Sequence, residues 1–275
     1  MDKKTPLIIV CAVLLIVAAF FVFHGIRSER PRQESVLPVI VNDEPALFDK
    51  AKKAAGEGDL IKARTLYRGI VEKFPGSGKI ASAQEALEDI NIKLLFSNIP
   101  TTDSQVYEVQ KGDTLNKIAR KFGTTPEMII KSNGLTGSAI QAGRSLKVSG
   151  AKFSIVVDKS QNILTLRSGQ DIVKTYRVST GKNSCTPVGT FKIINKILNP
   201  PWYKEPGVVI AAGDPKNVLG SRWMGISKPS YGIHGTVEPE SIGQSVTEGC
   251  IRMKNSEVEE LYDIVPENTE VVITE

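Results

Sequence analysis

Residues 231–254, YGIHGTVEPESIGQSVTEGCIRMK, carry the reading on which the rest of the chain depends. His234 and Cys250 each adjoin a glycine there, Gly235 and Gly249, on a segment with little helical periodicity. The chain has two histidines, and the other, His24, lies at the end of an apolar run near the N-terminus. A cysteine nucleophile needs a base to take its proton, most often a histidine, which makes His234 the candidate. A free thiol has a pKa of roughly 8.5, and a neighbouring imidazolium lowers it by several units, so the pair predicts a thiolate near neutrality. Gly249 lets the backbone bend so that adjacent N–H groups face a developing oxyanion. Spacing alone is equally compatible with a buried structural cysteine and a surface histidine that never meet.

The wording of the stretch goes further. Ile233-His234-Gly235-Thr236, then Ser241-Ile242-Gly243, then Thr247-Glu248-Gly249-Cys250-Ile251-Arg252-Met253 closely resembles the signature of the L,D-transpeptidase (YkuD-type) catalytic domain. The resemblance covers roughly residue 152 to the C-terminus. It implies a mostly β sandwich and a cysteine acyl-enzyme that remodels bacterial peptidoglycan. By the same resemblance Cys250 is the nucleophile, His234 the base and the Gly235 carbonyl the orienter of the imidazole. Gly249 and Cys250 would supply oxyanion N–H groups, with Thr247, Glu248 and Arg252 supporting the site. One position departs: the family usually has histidine where this chain has Glu248. Two residues before the thiol on an extended chain, its carboxylate would share a side with Cys250 and raise the thiol pKa unless Arg252 or another cation compensates.

The chain has 275 residues, enough for several domains, and its 41% apolar and 24% charged residues are those of an ordinary globular protein. A net charge of +5 with no dense Lys/Arg block gives no support for nucleic-acid binding, and leaves room for anionic wall polymers or headgroups. Residues 7–23, LIIVCAVLLIVAAFFVF, follow Lys3 and Lys4 and form an unbroken apolar run. Its length and the lack of a following A-x-A site favour an uncleaved membrane anchor over a cleaved signal peptide. Arg27, Arg30 and Arg32 blur the charge rule for orientation, and the implied wall substrate argues for a C-terminal part outside the cytoplasm. Cys11 lies in the apolar run. Pairing the other two cysteines, Cys185 and Cys250, would block the nucleophile, so both are read as thiols, with a redox-controlled bond as the alternative.

The expected organisation is an anchor over residues 1–27, a polar tether over 28–43, helices over 44–98, a small βααβ module over 104–149 and the catalytic domain over 152–275. In 44–98 apolar residues recur at three- and four-residue intervals, broken at Gly56 and Gly58. GDLIKARTLYRGIVEKFPGS there resembles a tetratricopeptide helix pair, with a third helix at about 79–96. The segment has room for about one and a half repeats where solenoids need at least three, so it reads as a spacer or as a surface for a protein partner.

YEVQKGDTLNKIARKFGTTPEMIIKSNGLTGSAIQAGRSLKV resembles a LysM module along its whole length. Gly112, Asp113, Thr114 and Leu115 match the turn after the first strand, with Asp113 or Thr114 able to cap the next helix, and Asn133 and Leu135 match the closing half. LysM modules bind N-acetylglucosamine-containing glycans, so those six residues are the implied glycan site and peptidoglycan the implied ligand.

From residue 152, FSIVVD, ILTLRSG and IVKTYRVSTG alternate as a meander, and STGK…TPVGTF is a second stretch shared with L,D-transpeptidases. Residues around Trp202 and Tyr203 read as an irregular insertion able to cover the groove, residues 256–265 as a helix and EVVITE as a last strand.

The implied reaction is attack on the penultimate residue of a tetrapeptide stem, release of D-alanine, and transfer of the acyl group to an amine. Transfer to water would make an L,D-carboxypeptidase. A catalytically impaired wall-binding adaptor is the alternative from another class. A hydrolase of the NlpC/P60 sort fits less well, because there the cysteine precedes the histidine. No metal or cofactor is implied, since no ligand cluster at metal spacing is present.

Overall fold

The computed structural model describes residues 44–275. The expected anchor and tether lie outside the described residues, among which no helix is long and apolar enough to cross a membrane.

Three helices come first: α1 (Glu44–Gly56), α2 (Leu60–Lys73) and α3 (Ile80–Leu95). Ala63, Leu66, Tyr67 and Ile70 form the buried stripe of α2, at the three- and four-residue spacing that an amphipathic helix needs. Gly58, at φ 79°, makes the turn between α1 and α2, and the Asp59 carboxylate caps α2 by accepting the Lys62 N–H at 3.1 Å.

The βααβ module follows as β1 (Ser104–Glu108), α4 (Leu115–Phe122), α5 (Pro126–Ser132) and β2 (Ser145–Ser149), with β1 and β2 antiparallel. Leu115, Ile118, Ile129, Leu146 and Val148 close its own small core. Thr114 is the residue that caps α4, accepting the Lys117 N–H at 3.2 Å. Asp113 instead closes the preceding turn, accepting from the Tyr107 hydroxyl at 2.7 Å and the Gln110 N–H at 2.8 Å.

The remainder is mostly β: β3 (Phe153–Asp158), β4 (Ile163–Ser168), β5 (Asp171–Arg177), β6 (Thr180–Gly181), β7 (Gly189–Leu198), β8 (Trp202–Glu205), β9 (Val208–Ile210), β10 (Arg222–Ile226), β11 (Gly232–His234), β12 (Ser245–Thr247) and β13 (Ile251–Arg252), then helix α6 (Asn255–Ile264) and β14 (Glu270–Thr274). Eight strands join in the order β13-β11-β10-β7-β14-β3-β4-β5. The long strand β7 belongs to both halves: residues 189–192 pair with β14, and residues 193–198 pair with β10. A register shift at Gly225/Ile226 marks the crossing, as where a strand passes between two packed layers. One apolar core gathers Ile155, Leu164 and Val271 from one half, Met224, Ile233 and Ile251 from the other, and Leu261 from α6. The meander β3-β4-β5 and the last strand are as the alternation predicts. The stretch around Trp202 is more regular than expected: β8 and β9 form a hairpin turned at Gly207, and Tyr203 on it is 74% exposed.

Side chains tie the three parts together. β5 is the open edge of the sheet, and α3 covers it: Asn91 donates to Val173 O at 3.1 Å, and Glu88 accepts the Thr175 N–H at 3.2 Å. Lys147 on β2 is buried and donates to Leu94 O at 2.7 Å and Ser97 O at 2.8 Å, satisfying carbonyls at the end of α3. Burial, with the Arg64 charge adding to it, pulls the Lys147 pKa down to about 8. On the other side Lys131 pairs with Asp263 of α6 at 2.6 Å, and the Thr125 hydroxyl donates to the Asp263 carbonyl.

Asn133, expected at the glycan site, is spent inside the module. Its amide donates to Ile129 O at 2.9 Å and Lys147 O at 2.8 Å and accepts the Lys147 N–H at 2.7 Å. Asn133→Ala should therefore destabilise the protein by about 2 kcal/mol, read as a lowered Tm, because it strands groups of a buried strand.

Candidate active site

The site is set by one short parallel pairing. β11 and β13 run side by side with Ile233 opposite Ile251 and His234 opposite Arg252. Ile233 and Ile251 point into the core, so alternation sends His234 and Arg252 to the other face, and Cys250, two residues before Arg252, with them. Cys250 and His234, the expected nucleophile and base, are thus carried by adjacent strands, Cys250 just ahead of β13. Backbone bonds lock the register: the Met253 N–H donates to His234 O at 2.8 Å, and Ser179 and Arg252 exchange a pair at 2.8 and 2.9 Å.

His234 is 4% exposed, and its Nδ1 lies 2.7 Å from the Gly235 carbonyl oxygen. A carbonyl only accepts, so Nδ1 carries the proton and Nε2 is left as the basic nitrogen. Burial lowers the imidazole pKa to about 4, against the Gly235 hydrogen bond that raises it, and the Arg252 charge lowers it further. Burial pushes the Cys250 thiol up, as does nearby Cys185, while the Gly232 N–H and Arg252 favour the thiolate. Desolvation disfavours both charged forms and so works against the expected imidazolium–thiolate pair. Cys250 Sγ lies 3.7 Å from Ser230 O.

The turn before the cysteine is held by two threonines. Gly249 has φ 117°, and a Cβ on it would meet Tyr231 Cε1 at 2.6 Å, so glycine is required there. Thr247 Oγ1 accepts the Gly249 N–H at 3.1 Å and donates to Cys250 O at 2.6 Å. Thr186 Oγ1 accepts the Gly181 N–H at 2.7 Å and donates to Gly249 O at 2.9 Å. The Gly249 N–H, expected to face the oxyanion, is thus engaged within its own turn. The Cys250 N–H has no acceptor among the described residues.

Glu248 does not face the thiol. Its side chain is 84% exposed and pairs with Lys182 Nζ at 2.7 Å. The positive φ at Gly249 breaks the extended geometry that would have put residues 248 and 250 on one side. Arg252 is the nearer charge: its Nη1 pairs with Glu238 at 2.8 Å and with Ser241 Oγ at 2.9 Å, and its Nε is buried with no partner among the described residues. Cys185 is a free, exposed thiol with Sγ 3.8 Å from Thr247 O, at the rim of the same turn.

Four residues of the site had no assigned role in the sequence. Trp223, opposite His234 on β10, stacks on the imidazole with ring centroids 6.0 Å apart and planes 20° apart. Its indole N–H donates to Asn195 Oδ1 at 3.1 Å. Thr186 clasps the cysteine turn as above. Asn255, opening α6, accepts the N–H groups of Ser221 and Thr236 at 3.1 Å each and donates to Thr236 O at 2.8 Å, in the space that Gly220 and Gly235 leave by lacking a Cβ. Only Thr186 had a signal, since it lies in the TPVGTF stretch.

The expected glycan residues separate into frame and rim. Leu115 is buried, Thr114 and Asp113 serve the turn, and Gly112 takes the turn's positive φ of 87°. Leu135 lines a pocket of about 310 Å³ together with Gly134, Thr136, Gly137, Ser138 and Arg144. Among the described residues no group of three or more His, Cys, Asp or Glu side chains could hold a metal ion.

A buried, orientated histidine and a cysteine carried on neighbouring strands are the residue types that a cysteine nucleophile and its base require. Residues 152–273 match the L,D-transpeptidase catalytic domain (YkuD) and residues 107–149 the LysM domain. The YkuD protein of Bacillus licheniformis, which carries an L,D-transpeptidase name, is 39% identical over 177 residues, 62% of this chain and 98% of that one. Its namesake in Bacillus subtilis is 38% identical over 174 residues, 61% of this chain and 97% of the other. An L,D-transpeptidase structure from Mycobacterium smegmatis aligns with TM-score 0.40 at 20% identity, over 48% of this chain and 64% of that one. The chain belongs to the YkuD family of L,D-transpeptidases.

Because Glu248 is compensated by Lys182 and turned outward, Glu248→Gln should leave the basic limb of the pH–rate profile in place. A fall in the apparent Cys250 pKa would show that the carboxylate reaches the thiolate.

Proposed function

We propose that the protein is a peptidoglycan L,D-transpeptidase working through an acyl-enzyme on Cys250. The observation that carries this reading is the shared sheet face of Cys250 and His234, with His234 Nδ1 on the Gly235 carbonyl, inside a YkuD-family domain. His234 Nε2 takes the thiol proton as sulfur attacks the carbonyl of the penultimate stem residue, so thiolate charge appears only as the bond forms. The Gly232 N–H and Arg252 support that charge. The Cys250 N–H meets the oxyanion, and a second donor becomes available if the Thr247 hydroxyl releases Gly249. Collapse expels D-alanine, which leaves with the proton held by His234. An amine on a second stem then attacks the thioester, with His234 again as base, and the thiol is restored. Water in place of the amine gives the carboxypeptidase outcome.

The LysM module would bring glycan strands to the enzyme, with the pocket at Leu135 and Arg144 as its contact surface. The polar contacts of Lys131 and Thr125 with Asp263 support a fixed spacing between glycan site and thiol. The helical segment, read as tetratricopeptide-like, acts chiefly as a cover for the β5 edge, and its outer face remains available to a protein partner. The apolar run at 7–23 supports attachment to the inner membrane with the catalytic part in the cell envelope.

Two measurements test this reading. Intact-mass spectrometry with a disaccharide-tetrapeptide should show an adduct with release of D-alanine, both abolished in Cys250→Ala while glycan pull-down persists. Residual turnover in that variant would move the chemistry to Cys185. In the native enzyme kcat/KM should persist well below pH 6 and fall only near the His234 pKa of about 4, because protonation there removes the base. An acid limb at the ordinary histidine value would refute a buried neutral base.

A further inference from the structure

The face that carries Cys250 and His234 is floored by two glycines on neighbouring strands. Gly225 on β10 lies opposite Gly232 on β11, and Trp223 lies opposite His234 two positions along the same pair. The missing side chains make a trough, and the indole lies in it. A Cβ on Gly232 would come 2.7 Å from Trp223 Cζ2 and Cη2, and one on Gly225 would come 3.0 Å from Nε1. The far end of the ring is tied down by Asn195 of β7, whose Oδ1 accepts both the indole N–H and the Gly225 N–H at 3.1 Å. One flat ring therefore stacks on the imidazole with centroids 6.0 Å apart, lies over Gly232, and is fixed by a hydrogen bond on the third strand. The Gly232 N–H is the group that faces the Cys250 sulfur.

We infer that Trp223, anchored by Asn195 in the Gly225–Gly232 trough, is a positioning residue that keeps water off His234 and holds the imidazole plane for proton transfer with Cys250. The inference rests on the acyl-enzyme reading for its consequence in turnover, and on the geometry alone for the state of the histidine. An apolar ring against a titratable ring removes solvent that would stabilise the imidazolium. The charged and titratable groups around the imidazole are few. Arg252 stands beside it on β13, held by Glu238, and Cys250 lies two residues earlier, just ahead of that strand. On β10 the facing side chain is Trp223, which does not titrate, so the indole contributes shielding without charge. Asn195 acts one step further out: without its oxygen the indole loses its hydrogen bond and is free to leave the trough.

The test is a titration of the His234 ring by NMR in the full-length chain, where His24 supplies the one other histidine signal. Trp223→Ala should raise the His234 midpoint from about 4 toward the ordinary 6.5, by roughly one unit or more, and the acid limb of kcat/KM should move with it. Trp223→Phe, which keeps an apolar ring, should restore most of the native midpoint. Asn195→Leu should give a smaller upward shift by loosening the ring. An unmoved midpoint in folded Trp223→Ala overturns the inference, even if turnover falls at every pH, since that is what a merely structural residue would do. If Trp223→Ala does not fold, Asn195→Leu decides: an upward shift supports the role, and an unmoved midpoint refutes it. A shifted midpoint in a chain whose native form makes no acyl-enzyme would uphold the positioning role and refute the transpeptidase reading.

Discussion

Everything at the active site depends on the two-residue parallel pairing of Ile233 with Ile251 and His234 with Arg252. Parallel neighbours need a crossover, and here the crossover is the loop from residue 235 to 250. That loop supplies Glu238 and Ser241 to hold Arg252, and Thr247 to hold the cysteine turn. The same pairing drives Ile233 and Ile251 into the core, so burial of two apolar side chains fixes the register. A slip of one residue would turn His234 inward and Ile233 outward, at a cost of buried apolar area and a buried, unpaired ring. Catalytic geometry is in this way a by-product of core packing.

Desolvation then sets the chemistry. Burial on this face penalises both the imidazolium and the thiolate and so favours the neutral form of each. In the proposed attack, charge would build on the sulfur, where the Gly232 N–H and the Arg252 charge favour it. The exposed Glu248–Lys182 pair sits outside this low-dielectric region, and in water such a pair has little influence on a group beyond it. That is the physical reason why the one departure from the family wording is compatible with an intact site.

The three parts of the described chain are joined by polar groups that satisfy exposed backbone. Asn91 and Glu88 close the β5 edge, and Lys147 closes the carbonyl end of α3. The helical segment thereby solves the edge-strand problem for the catalytic sheet, whatever else its outer surface contacts.

Much of this was legible in the residues themselves. Periodicity located the helices of 44–98 and the strands of the meander, and the order of turn residues and apolar runs marked the βααβ module. The wording around His234 and Cys250 pointed to the pair, and the Gly235 carbonyl that it marked does hold His234 Nδ1. What it could not decide depended on groups distant in sequence. Whether Glu248 faces the thiol turned on the φ of Gly249. Whether the Gly249 N–H is open to an oxyanion turned on the Thr247 hydroxyl, and whether Asn133 meets glycan turned on its bonds to β2. Trp223 and Asn195 carried no local signal, because their role exists only once β7, β10 and β11 lie side by side. Sequence determined which groups are present and the local backbone they prefer; burial and strand register, which arise only when remote segments pack, decided their charge states and their partners.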